Sequence, residues 1–137
     1  MGDPEQVPYL WTNRQVLSEI EPGLIVKISK YHLEQLLGNI FSNIKRHTPV
    51  ESRIEVALSG SGGGIELIIE DSGSGLPEGF YRKGIQAFQR FDKSRSRESG
   101  GSGLGMTIME KIVSKNRGQI RLSKSKFGGL KIQINLP

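Results

Sequence analysis

Between Lys30 and Arg46 the apolar residues Leu33, Leu36, Leu37, Ile40, Phe41 and Ile44 recur three and four apart. That spacing predicts a helix with a single buried stripe. Such a helix must lie on an apolar surface, and the flanking sequence supplies strands for one. Arg14 to Ile20 and Leu24 to Ile28 read as extended around the turn signal Glu21-Pro22-Gly23, and are expected to form an opening hairpin. Arg53 to Leu58 and Ile65 to Glu70 flank Gly60-Ser61-Gly62-Gly63-Gly64 and predict a second antiparallel pair, while Gln119 to Ser125 and Leu130 to Leu136 flank Phe127-Gly128-Gly129 and predict a third. Leu104, Ile108, Ile112 and Val113 place a further helix over Leu104 to Lys115, with Gly118 as its stop. Together these define an α+β fold: a two-layer α/β sandwich, its mixed and mostly antiparallel sheet of about five strands carrying about three helices on one face.

The chain has 137 residues, 35% of them apolar and 24% charged, which suits one core and is too short for two. Residues 14–137 are read as that single domain and residues 1–13 as an extension or linker. The longest apolar runs, such as Leu67-Ile68-Ile69 and Leu24-Ile25-Val26, fall far short of the roughly 20 residues that span a bilayer. No signal-peptide pattern opens the chain. The absence of cysteine excludes disulfides and thiolate metal sites and suits a cytosolic compartment. Net charge is +5, and Arg82, Lys83, Arg90, Lys93, Arg95 and Arg97 crowd into one stretch. A polyanion is the expected partner of such a cluster. Charge alone does not choose between such a polyanion, whether nucleic acid or a nucleotide triphosphate, and a solvated surface loop.

Three constellations narrow the choice. On a helix turning about 100° per residue, Asn39, Asn43, Arg46 and His47 share one polar edge beside the apolar stripe. That edge is either a solvated face or a place where two amide oxygens converge, as a Mg²⁺ ion that keeps waters and phosphate oxygens would require. Asp71-Ser72-Gly73-Ser74-Gly75-Leu76-Pro77 follows an apolar strand directly. A carboxylate at the strand end can accept a hydrogen bond from an exocyclic amine, and the glycines let a flat ligand approach backbone; the same pattern also makes an Asx turn. Gly100-Gly101-Ser102-Gly103-Leu104-Gly105 runs into the last helix and offers unpaired N–H groups to an anion. Its spacing matches neither the dinucleotide fingerprint nor a Walker loop. Between the second and third of these, Ser72 to Gly103 holds seven glycines and the basic cluster, an excursion of the length that carries function.

Taken together, these segments resemble the ATP-binding catalytic domain of bacterial sensor histidine kinases, within the superfamily shared with gyrase and MutL-type ATPases. The resemblance runs from about Arg14 to Pro137. Leu36 through Pro49 is similar to the family's N box, Asp71-x-Gly73-x-Gly75 to its first glycine box, Phe88-Gln89-Arg90-Phe91 to its F box, and Gly101-Ser102-Gly103-Leu104-Gly105 to its second glycine box. The resemblance implies ATP and Mg²⁺ as ligands, with Asn43 on the metal, Asp71 on the adenine amine, His47 packed against the nucleotide and Arg46 on phosphate. It further implies nucleotide contacts from Asn39, Gly73, Gly75 and Leu76, and a triphosphate wrapped by Gly101, Ser102, Gly103, Leu104 and Gly105. Residues 76–100 are then the ATP lid, whose Arg95 or Arg97 neutralises γ-phosphate charge during transfer through a loose transition state.

The residues depart from the family pattern at three places. Phe91 is followed at once by Asp92, which shortens the lid; Leu130-Lys131 stand where a threonine pair is common; and Arg46 stands where lysine is commoner, its fork able to grip two phosphate oxygens. Asn39 occupies the position of the glutamate that activates water in hydrolytic relatives, and an amide cannot act as a general base. Slow hydrolysis and phosphoryl transfer are therefore expected, with Asn39, Arg46, Arg95 and Arg97 as the catalytic set. Only His32 and His47 are present, and neither sits in an acceptor pattern. The resemblance thus implies a phosphoacceptor histidine on a dimerisation domain elsewhere in the parent protein and a response regulator as final acceptor. The domain itself is expected to be a cytoplasmic portion of its parent, without membrane or nucleic-acid contact. An ATP-switched relative such as an anti-sigma serine kinase or a slow ATPase, and a nucleotide-binding module without turnover, are the alternative readings.

Overall fold

The computed structural model describes residues 8–11, 14–49, 51–73, 75 and 105–137, giving the backbone alone at 8–11, 43, 46, 47 and 105–107. Six strands and two helices occur among them. The strands are β1 (Pro8–Trp11), β2 (Arg14–Ile20), β3 (Arg53–Ser61), β4 (Gly64–Asp71), β5 (Gln119–Lys124) and β6 (Leu130–Leu136). The helices are α1 (Lys30–His47) and α2 (Gly105–Lys115). One sheet runs in the order β1-β2-β3-β4-β6-β5. Every neighbouring pair is antiparallel except β2 and β3, which run parallel with Gln15 opposite Arg53 and Ile20 opposite Leu58.

That parallel pair corrects the expected opening hairpin. A parallel neighbour requires a crossover, here through α1. With β1 on one side of β2 and β3 on the other, no ladder edge is left for Leu24 to Ile28. The turn at Glu21-Pro22-Gly23 does form, and Glu21 N–H donates to the Leu58 carbonyl at 2.9 Å. The next residues then run as an extended connection that packs Leu24, Val26 and Ile28 against the core and leaves Ile25 exposed. Pro8–Trp11, inside the stretch expected as an extension, adds an edge strand and brings the sheet from about five strands to six. The other two hairpins close as expected, and both helices lie within a residue or two of their predicted bounds.

Alternation decides what faces the helices. Ile65, Leu67 and Ile69 on β4 and Leu130, Ile132, Ile134 and Leu136 on β6 point to one face and are buried. Ile54 joins them from β3; Leu36, Ile40 and Ile44 come down from α1, and Met109, Ile112 and Val113 from α2. Each fully buried Leu or Ile contributes roughly 1.5–3 kcal/mol, so this layer dominates stability. The opposite face is polar, with Glu66 accepting from Gln133 Nε2 at 2.7 Å. Ser29 caps α1, its Oγ accepting the His32 N–H at 3.1 Å. No helix among the described residues is long and apolar enough to cross a membrane.

Candidate functional site

The alternation that buries Ile65, Leu67 and Ile69 carries on to Asp71, which therefore ends a core-facing row with a carboxylate only 6% exposed. A carboxylate so placed is costly unless its oxygens are bonded. Asp71 Oδ1 accepts the N–H of Gly73 at 2.9 Å and that of Leu130 at 3.2 Å. The first bond is the Asx turn anticipated from the sequence; the second reaches across to β6 and locks the carboxylate to the neighbouring strand. Gly75, two residues beyond Gly73, takes φ +69°, a conformation that a side chain would strain.

The turn between β5 and β6 wraps around this carboxylate. A Cβ at Gly129 would overlap Asp71 Oδ1 and the Asp71 carbonyl and would lie 2.7 Å from the Gly73 nitrogen. Any side chain there displaces the site. The turn is pinned from behind by Glu70, the buried neighbour of Asp71 on the other face. Its Oε1 accepts Ser125 Oγ and the Lys126 N–H, each at 3.2 Å. Ser125 N–H in turn donates to the Gly129 carbonyl at 2.8 Å. Phe127, within the turn, stacks under the Arg53 guanidinium 4.7 Å from its ring centre. Thus consecutive residues on β4, facing opposite ways, hold two sides of one turn.

The third wall is the end of α1. A Cβ at Gly73 would lie 3.1 Å from both Thr48 Cγ2 and Asp71 Oδ1, so helix end, turn and carboxylate are in close contact. The helix stops without a glycine. Thr48 takes an extended conformation, its N–H and Oγ donate to the Ile44 carbonyl at 3.0 and 2.6 Å, and Pro49 follows. Arg14, buried at the start of β2, reaches the same carbonyl end. Its Nε donates to Thr48 Oγ1 at 2.7 Å, and its Nη2 donates to the carbonyls of Lys45, at 2.9 Å, and of Thr48.

Of the residues anticipated from the sequence, Asp71 and Gly73 come together in this way, and Gly75 follows two residues on in a left-handed conformation. Asn39 is half-buried on α1, and its Nδ2 donates to the Gln35 carbonyl at 2.8 Å. Only the nitrogen can make that bond, so the amide oxygen is turned away from the helix backbone. Gly105 opens α2, whose other end is held by Gly118 against Asn135 and Leu136; an 11-residue helix sets Gly105 about 16 Å from that anchor. The side chains of Asn43, Arg46 and His47, together with Leu76, Arg95, Arg97, Gly101, Ser102, Gly103 and Leu104, lie outside the described residues. Gly129, Glu70, Thr48 and Arg14 were not singled out as site residues. One signal was available for Gly129: the turn needs a left-handed residue only at Gly128, with φ +94°, so a second glycine beside it points to close approach. Cavities of about 410 and 230 Å³ open at the opposite end of the sheet, beside Ile20 and Leu58 and beside Gly64 and Gly118, and touch none of these residues.

Among the described residues no three His, Asp or Glu side chains cluster as a metal site. A buried carboxylate thus stands at a central strand end of an α/β sandwich, flanked by glycine backbone and abutting a helix terminus. The chain belongs to the family of histidine kinase-, DNA gyrase B- and HSP90-like ATPases, whose profile matches residues 29–137. It is 36% identical over 105 residues to the sensor histidine kinase CpxA of Escherichia coli (strain K12) and 34% identical over 105 residues to the histidine-protein kinase BaeS of the same strain. Each match covers 77% of this chain and 22% of the relative, so the chain spans about a fifth of their length. Among solved structures, the mycobacterial sensor histidine kinase MprB is 26% identical with a TM-score of 0.71, over 91% of this chain and 82% of that one. The catalytic domain of the histidine kinase ThkA shares the fold at a TM-score of 0.74 and 21% identity, over 92% of this chain and 81% of that one.

Proposed function

We propose that this chain is the catalytic domain of a two-component sensor histidine kinase, holding Mg-ATP and passing the γ-phosphoryl group to a histidine on the parent's dimerisation domain. The observation that carries it is the Asp71 carboxylate, buried, fixed by two backbone N–H groups and surrounded by backbone that tolerates no Cβ at Gly129. A fixed acceptor of this kind takes a hydrogen bond from the adenine amine and meets a carbonyl in guanine, which it repels. Gly73 and Gly75 would leave room for the flat ring, and Leu76 is assigned a nucleotide contact by the same reading.

The remaining roles divide along α1, the lid and the start of α2. Asn43, one turn beyond Asn39, would hold Mg²⁺ through a neutral amide oxygen, a hard ligand suited to an ion that keeps water and phosphate oxygens. His47 packs against the nucleotide and Arg46 grips phosphate. Gly101, Ser102, Gly103, Leu104 and Gly105 present backbone N–H groups to the triphosphate at the positive end of α2. Arg95 or Arg97 neutralises the charge that develops as the γ-phosphorus leaves its bridging oxygen and bonds to an imidazole nitrogen. Asn39 contributes polarity without basicity, so water is not activated. The parent would present this domain in the cytoplasm, and a response-regulator aspartate would take the phosphoryl group next.

The test is transfer itself. Incubated with Mg-ATP labelled at the γ-position and the parent's dimerisation domain, the chain should label that domain with acid-labile, base-stable phosphate, and the label should vanish when the acceptor histidine is replaced. Labelling of serine, or nucleotide binding without any transfer, would overturn the kinase assignment.

A further inference from the structure

Arg14 takes no part in the chemistry just described, yet it is 5% exposed and directs its guanidinium into the end of α1. Burying a guanidinium is costly unless its N–H groups are bonded and its charge is met by opposite potential. Here the potential is the carbonyl end of an 18-residue helix, where backbone dipoles sum to a partial negative charge. Nε and Nη2 engage Thr48 Oγ1, the Lys45 carbonyl and the Thr48 carbonyl. The fork therefore seizes the cap residue and the last turn together.

That turn carries Lys45, Arg46 and His47, and its cap touches the purine side of the site. Thr48 Cγ2 is 3.1 Å from where a Gly73 Cβ would stand, and Gly73 N–H is bonded to Asp71. Arg14 is itself rooted in the sheet: the next residue, Gln15, donates its N–H to the Ser52 carbonyl at 3.1 Å and pairs with Arg53, whose N–H bonds Ser72 Oγ at 2.8 Å. A closed path thus runs from β2 through Arg14 and Thr48 to Gly73, and back through Ser72 and β3. We propose that Arg14 is a positioning residue for the nucleotide: through Thr48 it sets the distance between the phosphate-side turn of α1 and the Asp71–Gly73 purine acceptor. The inference rests on the nucleotide reading above.

A mere helix cap would cost stability and leave affinity alone, which separates the two roles. Affinity for a non-hydrolysable Mg-ATP analogue is measured by calorimetry, and Tm without nucleotide by thermal unfolding, for wild type, Arg14→Lys, Thr48→Val and the double variant. Arg14→Lys keeps the charge but loses the fork; Thr48→Val keeps the shape but removes the hydroxyl that accepts from Nε. Ile65→Val, buried at the far end of β4, serves as a destabilised control. Each single variant should weaken binding about tenfold. The double variant should be little worse than either single one, and the control should lose Tm with Kd unmoved. Wild-type Kd in both single variants despite a lower Tm would overturn the inference. If Arg14→Lys does not fold, Thr48→Val carries the same test. No binding by the wild type would instead overturn the nucleotide reading, a result distinguishable from the first.

Discussion

Gly129 lies directly against the buried carboxylate of Asp71. It has no need of a left-handed backbone, since the positive φ belongs to Gly128; what it needs is empty space beside Asp71. Gly129→Ala should therefore cost about 1–3 kcal/mol, the usual penalty for forcing a methyl into packed structure, and should weaken ATP binding in parallel. Urea unfolding and nucleotide titration check the two halves separately; a neutral change in both would mean that the turn moves freely and does not shape the pocket. Asp71 itself was legible in the sequence because a carboxylate followed by alternating glycines at a strand end is a local pattern. The partners that fix it were not. Leu130 N–H, Thr48 and Glu70 act through contacts between segments distant along the chain, and a buried arginine at the start of a strand looks the same in sequence as an exposed one.

At the scale of elements, the 3.6-residue period of α1 and the glycine-marked hairpins at 62–63 and 125–129 were readable because each is written within one stretch of chain. The parallel β2–β3 pairing and the edge strand β1 were not, because both depend on which free edge a strand finds after the helix has crossed over. Leu24 to Ile28 shows the limit clearly. It is extended, with Leu24, Val26 and Ile28 half-buried and Ile25 and Lys27 exposed, yet it lacks a ladder because both edges of β2 are taken. Since α1 forms one wall of the site, its packing governs the site as well as the fold. Ile40→Ala, at a position with no exposed surface, should destabilise the domain by about 2–5 kcal/mol and lower the urea midpoint with little change in slope. A loss below about 1 kcal/mol would show that α1 is not seated on the sheet as described.

For the whole molecule, a family of ATPases that includes both hydrolases and kinases leaves the chemistry to individual side chains. Asn39 in place of a general base predicts that the isolated chain turns over ATP only slowly, and phosphate release followed with excess Mg-ATP should stay near background. Replacement by glutamate, Asn39→Glu, is expected to raise hydrolysis; robust turnover by the wild type would move the chain to the hydrolytic side of the family. Nucleotide choice falls, on the proposed function, to the buried carboxylate of Asp71, which would select adenine. Calorimetric titration of the wild type and Asp71→Asn with Mg-ATP and Mg-GTP addresses it directly. The wild type should bind ATP and not GTP, and Asp71→Asn, which turns an acceptor into a partial donor while keeping its shape, should lose about 10- to 150-fold in ATP affinity. Equal affinity for the two nucleotides, or ATP binding unchanged in Asp71→Asn, would contradict that selection.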